Sequence, residues 1–108
     1  MSKLKQYKMF IDGEWVDSES KKTFETLNPE NNEVWATVPE ANIKDVDRAV
    51  KSAQKAFENS WSNLHPRDRA KYLRASGDQL RKNAEMLGKV ETIDTGKLFR
   101  ETKQQANY

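Results

Sequence analysis

Apolar and polar residues alternate in the first part of the chain, which predicts short β-strands. The clearest signal is Asp12-Gly13, which lies between the runs Met9–Ile11 and Glu14–Val16. Asp-Gly suits a type I′ hairpin turn, because both central residues of that turn need positive φ. The turn would pair Phe10 with Trp15 as a cross-strand aromatic pair.

Two further strands are predicted after the hairpin. Residues 23–27 and 33–38 alternate in the same way, and an Asn-Pro turn cluster separates them. We expect the second of these strands to stop before Pro39, since proline cannot donate to a sheet ladder. Residues 1–39 are therefore predicted to be a β-rich part of the chain.

Residues 40–108 are predicted to be helical. Asn42 is suited to cap the N-terminus of a helix running roughly from Ile43 to Asn59, with Asp45 in its first turn. Apolar residues recur on this helix at steps of three and four, as on the buried face of an amphipathic helix; they are Ile43, Val46, Val50, Ala53 and Phe57.

Two more helices, and the beginning of a fourth, are expected after this one. Pro66 suits the first position of a second helix, and Asn83 would end it and begin a third. Thr95-Gly96 supplies a stop signal for the third helix, and residues 98–108 would begin the fourth. Gly77 falls on the apolar face of the second helix, which suggests close packing against another element.

The composition predicts a thin margin of stability for an independent domain. Hydrophobic residues make up 35% of the 108 residues and charged residues 33%, which is more charge than an average globular domain carries. The chain has no cysteine, so a thiol nucleophile or thiolate metal site cannot come from it. Neither a signal peptide nor a membrane-spanning run is visible, so a cytoplasmic protein without a membrane partner is expected.

Few residues suggest chemistry by themselves. His65 is the only histidine and is interpreted as a loop or helix-cap residue. The densest basic run, Arg67–Arg74, is interpreted as a charged helix face, because Asp68 interrupts it and the net charge is only +2. The glycines lie too far apart for a phosphate-binding loop.

The order of these segments resembles the aldehyde dehydrogenase superfamily. Phe10–Trp15 looks like the opening hairpin of that family, and Thr23–Pro29 is similar to its second element. Residues 45–57 and 69–80 resemble its first two helices. Glu91–Lys97 is similar to the Glu-Thr-x-Asp-x-Gly-Lys signature of the family.

This resemblance implies an α/β fold with a Rossmann-type cofactor domain, to which residues 1–108 would contribute an N-terminal part. The implied reaction is NAD- or NADP-dependent oxidation of an aldehyde to a carboxylic acid, through a cysteine nucleophile and a glutamate base. The family places both residues, and the cofactor loop, later in the chain. We therefore predict no catalytic or cofactor-binding residue here, and no NAD binding by this chain alone.

The resemblance implies one site within the chain. The family commonly holds a monovalent cation through main-chain oxygens near Thr26 and Leu27 and through the carboxylate of Asp94, and hard oxygen ligands suit such an ion. The complete enzyme is expected to be a homo-oligomer that acts on an aldehyde and binds no nucleic acid.

Three interpretations stay open at this level. The first is a fragment of an aldehyde dehydrogenase that is inactive alone. The second is an independent α+β interaction module that binds RNA or protein through Arg67–Arg74. The third is a non-functional gene remnant.

Overall fold

The computed structural model describes residues 4–107, which form short strands followed by helices in an α/β arrangement. Within this range the strands are β1 (Lys5–Gln6), β2 (Met9–Ile11), β3 (Glu14–Val16), β4 (Thr23–Leu27) and β5 (Val34–Pro39). The α-helices are α1 (Ile43–Asn59), α2 (Pro66–Lys82), α3 (Ala84–Thr95) and α4 (Phe99–Gln105), with a 3₁₀ turn at Trp61–Asn63.

The chain divides into two compact units. Unit 1 comprises the residues up to Thr26 together with Val34–Asn63, and unit 2 comprises Leu27–Glu33 together with the residues from Leu64 onward. Unit 1 therefore holds the hairpin and α1, and unit 2 holds α2, α3 and α4.

The predicted hairpin is confirmed in its register. Asp12 and Gly13 have φ values of 55° and 78°, as a type I′ turn requires. Phe10 pairs with Trp15 across β2 and β3, and their ring centroids lie 4.9 Å apart. Ile11, on the opposite face of the hairpin, is buried.

A second sheet has the strand order β1, β5, β4. Strand β1, which the sequence analysis did not predict, runs parallel to β5 and pairs Lys5 with Ala36. The prediction that the strand stops before Pro39 is wrong, because Pro39 is the last residue of β5. A terminal position needs no donor from proline, and the next residue, Glu40, donates its N–H to the carbonyl of Lys22 at 2.9 Å.

Helix α1 has the predicted bounds, and its N-terminus carries a complete capping box. The Asn42 side chain accepts hydrogen bonds from the backbone N–H groups of Lys44 and Asp45. The Asp45 carboxylate in turn accepts the backbone N–H of Asn42 at 3.0 Å. The side chains of Asn42 and Asp45 thus satisfy three backbone N–H groups at the start of the helix.

The helices of unit 2 also begin and end as the sequence predicts. Pro66 is the first residue of α2, Asn83 separates α2 from α3, and Gly96 ends α3 in the left-handed conformation at φ 75°. The predicted close packing at Gly77 is wrong, because a Cβ built there would meet nothing within 4 Å. The periodicity placed Gly77 on the apolar side of α2, but no described element approaches that side at this position.

Few apolar side chains are buried. Among residues 4–107 the buried hydrophobic residues are Ile11, Ala36 and Ala84, and the buried polar ones are Ser18, Asp45 and Thr102. Within the same range, every helix is too short or too polar to cross a bilayer. The large apolar residues are mostly exposed, so small residues and hydrogen bonds carry the internal packing.

Candidate functional site

The segment Glu91–Lys97 forms the last turn of α3 and its cap. The Gly96 N–H donates to the carbonyl of Thr92 at 2.9 Å, and the Thr95 hydroxyl donates to the carbonyl of Glu91 at 2.7 Å. The Lys97 ammonium pairs with the Glu91 carboxylate at 2.8 Å. The segment is therefore held by its own side chains as well as by helix hydrogen bonds.

A tight turn after β4 is built from asparagines. The Asn28 side chain accepts the N–H of Glu30 at 3.0 Å, and the Asn31 side chain accepts the N–H of Glu33 at 2.9 Å. Asn32 adopts the left-handed conformation at φ 59°, which asparagine tolerates better than most residues. These local bonds fix the turn that presents Pro29.

The turn and the end of α3 meet in unit 2. A Cβ on Gly96 would lie 3.0 Å from the Pro29 ring, so any larger residue would press on the proline as well as strain the positive φ. Beside this contact lies an open groove of about 600 Å³, whose lining includes Pro29, Glu30, Thr92 and Lys97. The lining therefore includes one acidic and one basic side chain, those of Glu30 and Lys97.

The residues predicted to hold a cation are placed on two elements. Thr26 and Leu27 are the last two residues of β4, and Asp94 lies in the last turn of α3 with its side chain exposed. Between residues 4 and 107, no three His, Cys, Asp or Glu side chains gather as a metal-binding group. Since two of the expected ligands are main-chain oxygens, that finding does not test the site, which stays a prediction.

Sequence reasoning missed a hydrogen-bond centre in unit 1. Asp45 is only 2% exposed, and its carboxylate accepts the N–H of Glu19 at 3.0 Å and 3.2 Å in addition to that of Asn42. The Glu19 carboxylate bridges the Lys44 ammonium and the Asn42 amide, each at 2.6 Å. The hydrogen bond from Lys44, and then that from Asn42, lowers the pKa of Glu19 below its ordinary value.

A second missed centre joins α3 to α4. The Thr102 hydroxyl lies 2.9 Å from the Gly88 carbonyl and 2.9 Å from the Thr92 hydroxyl. Gly88 lets the helices approach so closely that a Cβ there would lie 2.8 Å from the Lys103 backbone nitrogen. The hydrogen bonds of both centres join separate parts of the chain to each other, so we interpret both centres as stabilising the fold.

His65 and the basic run Arg67–Arg74, which the sequence analysis considered for other functions, make local contacts within their own segment of the chain. The His65 ring nitrogen Nδ1 accepts the N–H of Arg67 at 3.2 Å, which confirms the helix-cap interpretation. In the basic run Arg67–Arg74, Lys71 pairs with Asp68 at 3.0 Å. Nothing observed in residues 4–107 favours a nucleic-acid or protein interface at this run.

A family model for the aldehyde dehydrogenase family matches residues 15–108. The chain belongs to the aldehyde dehydrogenase family. The match extends from β3 to the end of the chain, and it includes the turn after β4 and the Glu91–Lys97 segment.

Solved aldehyde dehydrogenases have the same fold over this part of their chains. A point mutant of betaine aldehyde dehydrogenase from Staphylococcus aureus, solved with NAD⁺, is 40% identical with a TM-score of 0.87, over 93% of this chain and 20% of that one. A mutant of an aldehyde dehydrogenase from Bacillus cereus is 38% identical with a TM-score of 0.88, over 93% of this chain and 21% of that one.

A third solved structure extends the likeness at lower identity. An NAD-dependent aldehyde dehydrogenase from Sinorhizobium meliloti is 29% identical with a TM-score of 0.91, over 97% of this chain and 21% of that one. The chain thus spans about a fifth of the length of these aldehyde dehydrogenases, and its α/β fold is that of their N-terminal part.

Proposed function

We propose that this chain is part of the cofactor domain of an NAD(P)-dependent aldehyde dehydrogenase that oxidises aldehydes to carboxylic acids. Residues 1–39 would form the β-rich part and residues 40–108 the helical part of that Rossmann-type domain. The observation that carries the proposal is the family match over residues 15–108, supported by the likeness to an NAD⁺-bound betaine aldehyde dehydrogenase.

The described residues do not fit a dinucleotide by themselves. A phosphate cradle needs glycines close together at the start of a helix, whereas the four glycines of the sequence lie in separate places: Gly13 in the hairpin turn, Gly77 in α2, Gly88 in α3 and Gly96 after α3. We therefore infer that the 108 residues alone bind neither NAD nor NADP.

The residues also lack the reacting groups of the proposed chemistry. The sequence contains no cysteine, and the family's thiolate mechanism requires one. We infer that the 108-residue polypeptide is inactive, and that aldehyde binding and assembly into a homo-oligomer belong to the whole enzyme. A cytoplasmic location is part of the same proposal.

A monovalent cation bound by main-chain oxygens at Thr26 and Leu27 and by the Asp94 carboxylate is a further part of the proposal. Its support is family membership and the oxygen-only donor set, which suits a hard ion. In the complete enzyme, Asp94→Asn would weaken the dependence of thermal stability on added K⁺ or Na⁺, whereas Asp78→Asn on α2 would leave that dependence unchanged. An equal salt response in the two variants would contradict the cation site.

The proposed function is tested by comparing two polypeptides. One is the purified 108-residue chain and the other is the product of the whole reading frame that contains it. Each is incubated with NAD⁺ or NADP⁺ and a panel of aldehydes that includes betaine aldehyde, and reduced cofactor is followed at 340 nm, the wavelength at which it absorbs.

The expected result is turnover by the longer product and none by the 108 residues. Turnover by a contaminant-free sample of the 108 residues would contradict the inference of inactivity. Failure of the whole product to oxidise any aldehyde, despite a cooperative thermal transition, would contradict the proposed enzyme.

A further inference from the structure

The turn of the β2–β3 hairpin contains the one Asp-Gly pair of the sequence. Asp12 precedes Gly13, and both residues are exposed at the tip of the hairpin. Every other aspartate is followed by a residue that has a side chain. The difference matters because the main-chain nitrogen of the next residue can attack an aspartate carboxyl group, and a side chain on that residue hinders the approach.

The main-chain nitrogen of Gly13 is open to such an approach. A Cβ built on Gly13 would meet nothing within 4 Å, so no described group crowds this position. The ladder of the hairpin pairs Ile11 with Glu14, which leaves the N–H of Gly13 outside the ladder. The nitrogen is therefore neither crowded nor held by a strand partner.

The other aspartates are placed differently. Asp17 precedes Ser18, which is only 3% exposed. The rest lie in helices, where the following N–H takes part in the helix hydrogen bonds; they are Asp45, Asp47, Asp68, Asp78 and Asp94. After Asp45, for example, the N–H of Val46 donates to the carbonyl of Asn42 at 3.1 Å.

The Asp12 carboxylate is held loosely. Its Oδ1 accepts a hydrogen bond from the Ser52 hydroxyl of α1 at 3.3 Å, which is long for a hydroxyl donor. Each strand of the hairpin has only three residues, and a two-stranded hairpin is marginally stable by itself. Local opening of the turn therefore lets the carboxyl carbon reach the Gly13 nitrogen.

We propose that Asp12 is a site of spontaneous isomerisation to a β-linked aspartate, in which the chain runs through the side-chain carboxyl group. In the first step the Gly13 nitrogen bonds to the protonated carboxyl group of Asp12. The C–OH bond breaks, and the hydroxyl leaves as water with the amide proton, which gives a cyclic imide.

In the second step water adds to the imide and opens the ring. Opening at the main-chain carbonyl gives the β-linked residue, isoaspartate, and opening at the other carbonyl restores aspartate. One water is released and one is consumed, so the mass is unchanged and water is the only co-reactant.

Isomerisation lengthens the backbone of the turn by one carbon. A type I′ turn has two central residues with defined dihedral angles, so it cannot take up an extra methylene unchanged. The pairing of Phe10 with Trp15 and the burial of Ile11 depend on this turn. We expect faster hydrogen exchange of the hairpin amides in the modified chain, and unchanged exchange in α3.

The first test ages the 108-residue chain and measures isoaspartate at each aspartate. The sample is kept for several weeks at physiological temperature and mildly acidic pH, in water enriched in oxygen-18. Electron-transfer fragmentation of its peptides then assigns each β-linkage to a residue. We expect severalfold more isoaspartate at Asp12 than at Asp17, with a single oxygen-18 atom in each isoaspartate, because the ring opens by adding water.

The second test compares two matched variants by labelling with an isoaspartyl methyltransferase. Asp12→Glu would need a six-membered ring, which forms much more slowly than the five-membered imide, so labelling should fall to background. Asp17→Glu should leave it unchanged.

Three results would overturn the proposal. They are equal isoaspartate at Asp12 and Asp17, isoaspartate at Asp12 without oxygen-18, and labelling of D12E as strong as that of the parent chain. The oxygen-18 result comes from the parent chain, so it does not depend on how either variant folds.

Discussion

The α3–α4 pair and helix α1 bury different kinds of residues. Where α3 meets α4, the closest contact is made by Gly88 and Thr102, both buried, and no large apolar side chain of either helix is fully buried. On α1 the apolar stripe is complete in spacing, yet Ile43 is 85% exposed. The comparison shows that amphipathic spacing in the sequence indicates a face suited to contact. The contact that is closed between α3 and α4 depends instead on the missing Cβ of Gly88 and on the hydroxyl of Thr102.

The largest effect on stability is expected from filling the close contact between α3 and α4 at Gly88. Gly88→Ala sets a methyl group 2.8 Å from the Lys103 backbone nitrogen, and backbone cannot move aside as a side-chain tip can. We expect a loss of roughly 2 kcal/mol in the free energy of unfolding, measured by urea denaturation followed by circular dichroism.

Gly77→Ala is the matched control for that change. It fills open space in a helix interior and should stabilise α2 by about 0.5–1 kcal/mol. If the two alanine variants shift stability in the same direction, the close approach at Gly88 is not a determinant of the fold.

Unit 1 has its own buried polar centre, and removing its charge should have the next largest effect. Asp45→Asn replaces one of the two acceptor oxygens by an NH₂ group, which would face the N–H of Glu19 at the Oδ1 position and those of Glu19 and Asn42 at the Oδ2 position. A cost of about 1–2 kcal/mol follows from leaving a buried donor unpaired. Asp47→Asn alters only an exposed ion pair and should cost under about 0.5 kcal/mol. Equal melting temperatures for the two variants would argue against the role of Asp45.

The hydroxyl between α3 and α4 gives a smaller effect. Thr102→Val keeps the shape but removes the oxygen that lies 2.9 Å from both the Gly88 carbonyl and the Thr92 hydroxyl. We expect a loss of about 1 kcal/mol. Thr95→Val removes a similar bond, to the carbonyl of Glu91, at an exposed position where water replaces it. Hydrogen exchange of α4 amides should rise in T102V and not in T95V.

The smallest expected effect is on how the stability of the chain depends on pH. Hydrogen bonds from Lys44 and Asn42 lower the pKa of Glu19. The stability that ionised Glu19 contributes is therefore fully present above the ordinary glutamate pKa. It is lost as the pH falls through the lowered pKa of the folded state. The pKa of Lys44 is raised by the same bond, so its contribution is lost only in strong alkali. Glu19→Gln should flatten the acid side of a melting-temperature profile slightly, and an unaltered profile would contradict this linkage.

Local chemistry made much of the fold predictable. Asp12-Gly13 determined the hairpin register, and Asn42, Pro66 and Gly96 determined helix ends, because caps and turns depend on residues a few positions apart. Strand β1 escaped prediction because two polar residues, Lys5 and Gln6, acquire strand geometry only by pairing with a distant strand.

The glycines show why packing was harder to predict than secondary structure. Periodicity alone selected Gly77, whereas the close contact is made by Gly88, and only the path of α4 distinguishes them. At the candidate site, the sequence predicted from residue type that α3 ends at Gly96. Burial of Asp45 could not be predicted, since it follows from the course of the loop that carries Glu19.

The two-residue strand β1 protects this polypeptide against aggregation through a sheet edge. Its parallel pairing shields one side of β5, where Ala36 is fully buried. Trimming by a protease as far as Gln6 would uncover a row of unpaired amides and carbonyls, which can template added strands from other molecules. Limited proteolysis near the amino end should therefore turn a dispersed sample into one that precipitates, while a cleavage of the same length after Thr102 would leave that sheet edge protected.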